Sequence, residues 1–178
     1  MENRKILMKK ILMPISIIVF AILLRLLPHP PNMAPIAAMA LFGGYYLNKK
    51  YALVVPLIAL FISDIFLGFY GAMPFVYGSF LLTGLIGLWL KKHNNRKYII
   101  AGALFSSILF FLITNFGVWL AGDLYSKNIT GLTQSYVMAI PFFRNTVIGD
   151  LLYTGLFFGS YEFVKSLISK TSRQFIRL

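Results

Sequence analysis

The chain has 178 residues, of which 58% are hydrophobic, 16% aromatic and only 12% charged, and it contains no cysteine. A water-soluble fold cannot cover so much apolar surface, so the composition predicts an integral membrane protein. The absence of cysteine excludes disulfides, thiolate metal sites and palmitoyl anchors. The net charge of +12 would suit nucleic-acid binding in a soluble protein, but here the cations lie between the apolar runs, which favours contact with lipid headgroups.

Apolar runs long enough to cross a bilayer follow one another along the chain. One span needs ~20 residues, so there is room for about six helices and short connections. The first run follows a basic N-terminus and lacks a signal-peptide cleavage site, so we expect it to be retained. We predict one all-α integral membrane domain over 1–178, a polytopic bundle with spans at approximately 11–27, 35–47, 51–69, 74–90, 98–121 and 144–164.

The connections carry helix-breaking and hydrophilic residues. Four prolines in 28–35 predict a rigid turn after the first span, and 91–97 is the most hydrophilic loop. Two glycines and Pro141 interrupt the segment 122–143, which is also polar at its start. We expect this segment to be an external loop that contains a short amphipathic or re-entrant piece, 132–140.

The Lys and Arg residues cluster in alternate connections, which predicts an orientation by the positive-inside rule. With both termini, the 48–50 turn and the 91–97 loop inside, the cytoplasmic side holds 14 of the 17 cations, in groups of four, two, four and four. Only Arg25, Lys127 and Arg144 then lie at or beyond the outer face. We predict a multi-pass protein of the cytoplasmic membrane with cytoplasmic N- and C-termini.

Two acidic residues fall within predicted spans, where ionisable side chains are costly and usually face a partner or a polar cavity. Asp64 lies near the outer end of the third span, and Asp150 about two turns below the outer end of the sixth. Asn115 and Trp119 share one face of the fifth span near the same end, because residues four apart lie on one side of a helix. This convergence predicts a polar pocket open to the outside.

Aromatic residues near the same end can supply apolar walls with polar edges for a flat, small ligand. A structural alternative stays open, in which Tyr and Trp form an interfacial belt and Arg144 pairs with Asp64 or Asp150 to hold helices together. The predicted substrate-binding residues are Asn32, Asp64, Tyr77, Asn115, Trp119, Arg144, Asn145, Asp150 and Tyr153.

The sequence does not match the common catalytic motifs of membrane and soluble enzymes. The Gly-x-Gly-Asp of intramembrane aspartyl proteases is not matched, because Val147 stands at its first glycine before Asp150. No Gly-x-Ser-x-Gly elbow, no His-Glu-x-x-His and no phosphate-binding loop occurs. We therefore predict no enzymatic activity, no cofactor and no metal site.

Small residues four apart favour close packing of helices in lipid. Packing within the bundle is one explanation, and docking of a partner subunit is the other. An ion-coupled carrier that uses Asp64 or Asp150 for protons is a further alternative, although no inverted repeat relates the two halves. The pairs are Ala34 with Ala38, Ala40 with Gly44, and Gly155 with Gly159.

The overall plan of about six helices, a Pro31-Asn32 turn and a short second helix of small residues, 34–44 (APIAAMALFGG), resembles the substrate-binding S-components of energy-coupling factor (ECF) vitamin transporters. The stretches 112–120 (LITNFGVWL) and 139–153 (AIPFFRNTVIGDLLY) resemble a bacterial membrane family that is similar to those S-components. The resemblance covers nearly the whole chain.

The resemblance implies a small bundle that captures a vitamin or related micronutrient at its outer face. A transmembrane coupling subunit and two ATPases would then drive its release inward. In S-components an Ala-x-x-x-Ala face on the first helix often meets the coupling subunit; here the nearest such pair is Ala34 and Ala38, at the start of the second helix. A structural or enzymatic membrane protein of another kind remains the alternative.

Overall fold

In the computed structural model, residues 15–16, 18–93 and 95–175 are described. These residues form six helices and no strand, so the all-α prediction is confirmed. The predicted first span, 11–27, lies partly outside the described residues. The helices are α1 (described from 18 to 26), α2 (Ile36–Tyr46), α3 (Lys49–Leu67), α4 (Met73–His93), α5 (Arg96–Ala121) and α6 (Ile129–Phe175).

Two of these helices have the length and composition needed to cross a membrane. They are α4, with a mean hydropathy of 1.6, and the part of α5 from Lys97 to Ala121, with a mean hydropathy of 2.1. Helix α2 and the 51–67 part of α3 are apolar but shorter. By length and apolar composition, these two helices are candidate membrane spans.

Helix α2 is the buried centre of the bundle. Its residues 36–44 are all buried, because this run of small and apolar side chains is packed on every side. Where α2 crosses α4 the backbones touch: a Cβ atom added to Gly44 would lie 2.3 Å from the carbonyl oxygen of Gly84, and one added to Gly87 would lie 2.3 Å from that of Leu41. Only glycine permits this approach.

The shortness of α2 leaves space inside the bundle. Its 11 residues make a rod of only ~17 Å, about half the thickness of a bilayer core. Its crossing with α4 falls at Gly84 and Gly87, in the C-terminal half of α4. The N-terminal half of α4, and the parts of α5 and α6 beside it, therefore have no central helix to pack against.

Helices α4 and α5 form an antiparallel pair that fixes the levels of the other elements. The rings of Phe80 and Phe110 stack at 5.1 Å near the middle, and the rings of Trp89 and Tyr98 lie 6.0 Å apart at one end. At the opposite end a Cβ atom on Gly71 would lie 3.4 Å from the carbonyl oxygen of Ala121. We call this second end the cavity end.

Helix α6 corrects the expectation for 122–143. Residues 129–143 do not form a separate piece; they are the first turns of one continuous helix of 47 residues that also contains the predicted span 144–164. Pro141 removes one backbone hydrogen bond, but the helix continues because its flanks pack on α5. The Phe143 ring lies 4.7 Å from the Phe111 ring, and the Tyr136 hydroxyl donates to the Leu112 carbonyl at 2.8 Å.

Candidate functional site

A cavity of about 650 Å³ lies at the cavity end, in the space that α2 does not fill. All six helices and the connections after α1 and α3 contribute to its lining. Leu27 and Tyr70 at its mouth are exposed, whereas Phe80, Thr146 and Asp150 in its interior are buried. The cavity therefore runs from the surface into the core, and its volume suits a small-molecule ligand.

The floor of the cavity is the N-terminus of α2. Ile36 and Ala37 line it, and both are buried, with 6% and 5% of their surface exposed. The first backbone hydrogen bond of the helix runs from the Met39 N–H to the Pro35 carbonyl at 2.9 Å, and no side chain caps the helix. Among the described residues, no acceptor therefore meets the N–H groups of residues 36–38, which are left as donors at a positive helix end.

Asp150 is the one acidic side chain among the described residues that lines the cavity. It is 3% exposed, and its Oδ2 atom accepts a hydrogen bond of 2.6 Å from the hydroxyl of Ser107 on α5. No described Lys, Arg or His forms an ion pair with it. A carboxylate has room for about four hydrogen bonds, so Asp150 remains able to accept more.

Two other polar residues on the wall each donate a hydrogen bond to a backbone carbonyl. The hydroxyl of Thr146 donates to the Phe142 carbonyl at 3.0 Å, and the amide nitrogen of Asn115 donates to the Phe111 carbonyl at 2.7 Å. Both bonds stay within their own helix. Thr146 therefore still offers its hydroxyl oxygen as an acceptor, and Asn115 still offers its amide oxygen as an acceptor and its second amide N–H as a donor.

Arg25 and Asp64 form the second polar feature of this end. Asp64 is fully buried; its Oδ1 atom lies 2.6 Å from Nη2 of Arg25, and its Oδ2 atom accepts a hydrogen bond of 2.7 Å from the Tyr77 hydroxyl. The same guanidinium also donates to the Leu60 carbonyl at 3.1 Å and to the Ser63 hydroxyl. Arg25 lines the cavity as a member of a neutral, hydrogen-bonded pair.

The mouth of the cavity carries Tyr70, in the connection between α3 and α4. Its partial burial, together with the nearby Asp64 carboxylate, raises the pKa of the Tyr70 phenol, while Arg25 acts in the opposite direction. The phenol therefore stays protonated at neutral pH and keeps an O–H donor at the entrance.

Three of the nine predicted substrate-binding residues line this cavity: Asn32, Asn115 and Asp150. Asp64 and Tyr77 belong instead to the ion-pair network behind its wall. The alternative in which Arg144 neutralises one of the aspartates is wrong for Asp64, because Arg25 takes that place. Arg144 is exposed and has no partner among the described residues.

Of the other three predicted residues, two bind neighbouring segments and one packs within its own helix. The Asn145 amide donates to the Pro31 carbonyl at 3.1 Å and so joins α6 to the connection after α1. The Trp119 indole N–H donates to the Ser126 carbonyl at 2.9 Å and so holds the loop between α5 and α6. The Tyr153 ring lies 6.1 Å from the ring of Phe157, which is part of the core.

The alanine pair expected to dock a partner lies inside the bundle. Ala38 is 1% exposed, and Ala34 lines the cavity. Because α2 is surrounded by its own chain, Ala38 offers no exposed docking face in this structure. The other two pairs of small residues differ in their packing. Gly44 packs on α4, whereas nothing lies within 4 Å of a Cβ atom added to Gly155 or Gly159.

Sequence reasoning missed several residues of the site. Arg25 had a usable signal, since it is a cation beside an apolar run in which such residues are rare. No sequence signal marked Ser107, Thr146 or the Phe80–Phe110 pair, because serine, threonine and phenylalanine are common in apolar helices. Among the described residues, no group of three or more His, Cys, Asp or Glu side chains could hold a metal ion.

Comparison with known proteins gives a family but no characterised relative. No curated protein and no solved structure matches the chain. The sequence profile of a family of unknown function, DUF6580, matches residues 5–172. Since this match spans nearly the whole sequence and reaches into α6, the chain belongs to the DUF6580 family.

Proposed function

We propose that this protein is a multi-pass membrane protein that captures a small solute in its cavity without converting it chemically. The observation that carries the proposal is Asp150, a buried carboxylate without a cation, in the wall of a 650 Å³ cavity. A carboxylate buried without a cation costs stability, so its retention favours a ligand that compensates it. A purely structural bundle gains nothing from such a group.

The exposed surfaces support a location within the bilayer. Large apolar side chains are exposed on the outer faces of the helices. Examples are Ile65 and Phe66 on α3, which are 57% and 73% exposed, and Ile100 on α5, which is 56% exposed. Apolar surface of this kind is stable when lipid covers it. The positive-inside rule then puts both termini in the cytoplasm and the cavity end outside.

A capture role within an importer follows from the absence of an energy source in the sequence. The chain has no phosphate-binding motif, so accumulation of the solute would need partner subunits unless an ion gradient drives it. The resemblance to S-components of ECF vitamin transporters supports a transmembrane coupling subunit and ATPases as those partners, and a vitamin-like compound as the solute. The partner would have to dock elsewhere than at Ala34 and Ala38.

An ion-coupled carrier is the second candidate, and the difference between the two aspartates favours a specific form of it. Asp64 is held by Arg25 and Tyr77, whereas Asp150 has no cation and lies at the cavity. If protons drove transport, Asp150 would carry them and Asp64 would not.

Native mass spectrometry of the gently purified protein tests the proposal. We expect one small molecule per chain, recovered unchanged after release. Protein that arrives empty but with other membrane subunits would contradict capture and favour a helper role. Recovery of a chemically altered compound would contradict the absence of catalysis.

A further inference from the structure

The free hydrogen-bonding groups of the cavity specify the chemistry of its ligand. The acceptors lie on the wall formed by α5 and α6. They are the Asp150 carboxylate, the Asn115 amide oxygen and the Thr146 hydroxyl oxygen; the Thr146 O–H and one of the two Asn115 amide N–H groups donate within their own helices. A ligand that meets Asp150 has to supply a donor.

Backbone donors lie on the floor. The N–H groups of Ile36, Ala37 and Ala38 open α2 and have no acceptor among the described residues. The buried start of a helix needs partners for these groups, and the cavity is where a ligand can supply them. A ligand that meets the floor therefore has to supply an acceptor.

Floor and wall adjoin. A Cβ atom added to Gly149, the neighbour of Asp150, would lie 3.2 Å from the Cα atom of Met33, which stands in the connection that leads into α2. The same edge of a ligand can therefore face both Asp150 and the start of α2. An anion would suit the helix end but not Asp150, and a cation would suit Asp150 but not the helix end.

Part of the remaining lining is apolar and aromatic. Phe80 and Phe110 stack at 5.1 Å with an angle of 29° between their planes, and both line the cavity together with Val76 and Val118. This surface suits the face of a flat ring.

We infer that the cavity binds a flat nitrogen heterocycle with a lactam- or amidine-type edge, whose N–H donates to Asp150 while the adjacent oxygen or ring nitrogen accepts from the N-terminus of α2. This inference rests on the proposed capture function and names its substrate class. It requires an N–H donor and an acceptor side by side on one ring edge.

A matched set of bicyclic probes tests the two halves of the edge. Isoquinolone carries both groups, N-methylisoquinolone keeps the carbonyl acceptor without the donor, and naphthylamine keeps a donor without the acceptor. Each is titrated into the full chain in lipid nanodiscs by isothermal calorimetry. We expect isoquinolone to bind at least tenfold more tightly than either of the other two. Asp150→Asn should remove most of this preference, and the matched Asp123→Asn, in the loop after α5, should retain it.

The outcomes separate the inference from the function on which it rests. Equal binding of isoquinolone and N-methylisoquinolone, or binding of none of the three, overturns the proposed ligand chemistry. If native mass spectrometry nevertheless finds a solute bound one to one, capture stands and only the class is wrong. The comparison of the probes on the unmodified chain needs no variant, so a failure of Asp150→Asn to fold leaves the test intact.

Discussion

The Nη2 atom of Arg25 lies 2.6 Å from the Oδ1 atom of Asp64, across the contact between α1 and α3. The Asp64 side chain is fully buried and that of Arg25 is 10% exposed, so both charges are out of water. The Tyr77 hydroxyl satisfies the second carboxylate oxygen. Each charge is compensated, and the pair serves to join three helices at the cavity end.

Asp64→Asn should therefore destabilise the protein without affecting the chemistry of the cavity directly. Breaking a buried ion pair from one side leaves the other charge uncompensated, which costs about 3–5 kcal/mol. Tyr77→Phe removes one hydrogen bond and should cost about 1–2 kcal/mol. Thermal unfolding in mild detergent measures both. A melting temperature for Asp64→Asn equal to that of the unmodified protein would show that the pair does not hold the helices.

The glycine crossing of α2 and α4 should be intolerant of any side chain. Gly44→Ala and Gly87→Ala each place a methyl group about 2.3 Å from a carbonyl oxygen, and overpacking of this kind costs ~1–3 kcal/mol or more. Gly78→Ala on α4 is the matched control, because nothing lies within 4 Å of its added Cβ atom. Thermal unfolding should rank both crossing variants well below this control. Equal stability of the three would contradict the close approach.

The orientation can be measured on a natural cysteine-free background, since the chain has no cysteine. Asp123→Cys, beyond α5 at the cavity end, should react with a membrane-impermeant maleimide in intact cells. Lys92→Cys, at the opposite end of α4, should react only after the cells are permeabilised. Both positions are exposed, so access depends on the side of the membrane. The reverse pattern would place the cavity on the cytoplasmic side.

A capture subunit should not move protons by itself. The test uses vesicles that contain only this protein and a trapped pH indicator. A pH gradient is imposed, and the low-molecular-mass fraction of a cell extract is added. We expect no internal pH change beyond that of vesicles without the protein. A pH change that is lost in Asp150→Asn but persists in Asp123→Asn would instead establish the proton-coupled carrier.

The sequence predicts the helices well where one physical signal dominates. The predicted segments 74–90 and 98–121 coincide with α4 and α5 because each is a long apolar run bounded by proline, glycine or basic residues. Residues 129–143 are different, since Gly131 and Pro141 weaken a helix locally while contacts with Phe111 and Leu112 of α5 stabilise it. Local propensity does not contain those tertiary contacts.

The site was predictable as a region but not as a set of contacts. Asp150 and Asn115 were found because polar side chains are costly in apolar helices and converge at one end. The partner of Asp64 depends on how α1 is rotated against α3, which periodicity alone does not determine. The cavity itself arises from the short reach of α2, and its floor of free N–H groups belongs to the backbone, which no residue type reveals.

The most direct test of solute capture is native mass spectrometry of a variant in which the cavity is filled. Val118→Trp adds an indole ring at a half-buried position of the cavity wall, and Val54→Trp makes the same change on the outer face of α3, at a side chain that is 50% exposed. If this cavity captures the solute, the Val118→Trp protein arrives without it, while the unmodified protein and Val54→Trp each carry one molecule per chain. Retention of the solute by Val118→Trp would contradict the assignment of this cavity as the capture site.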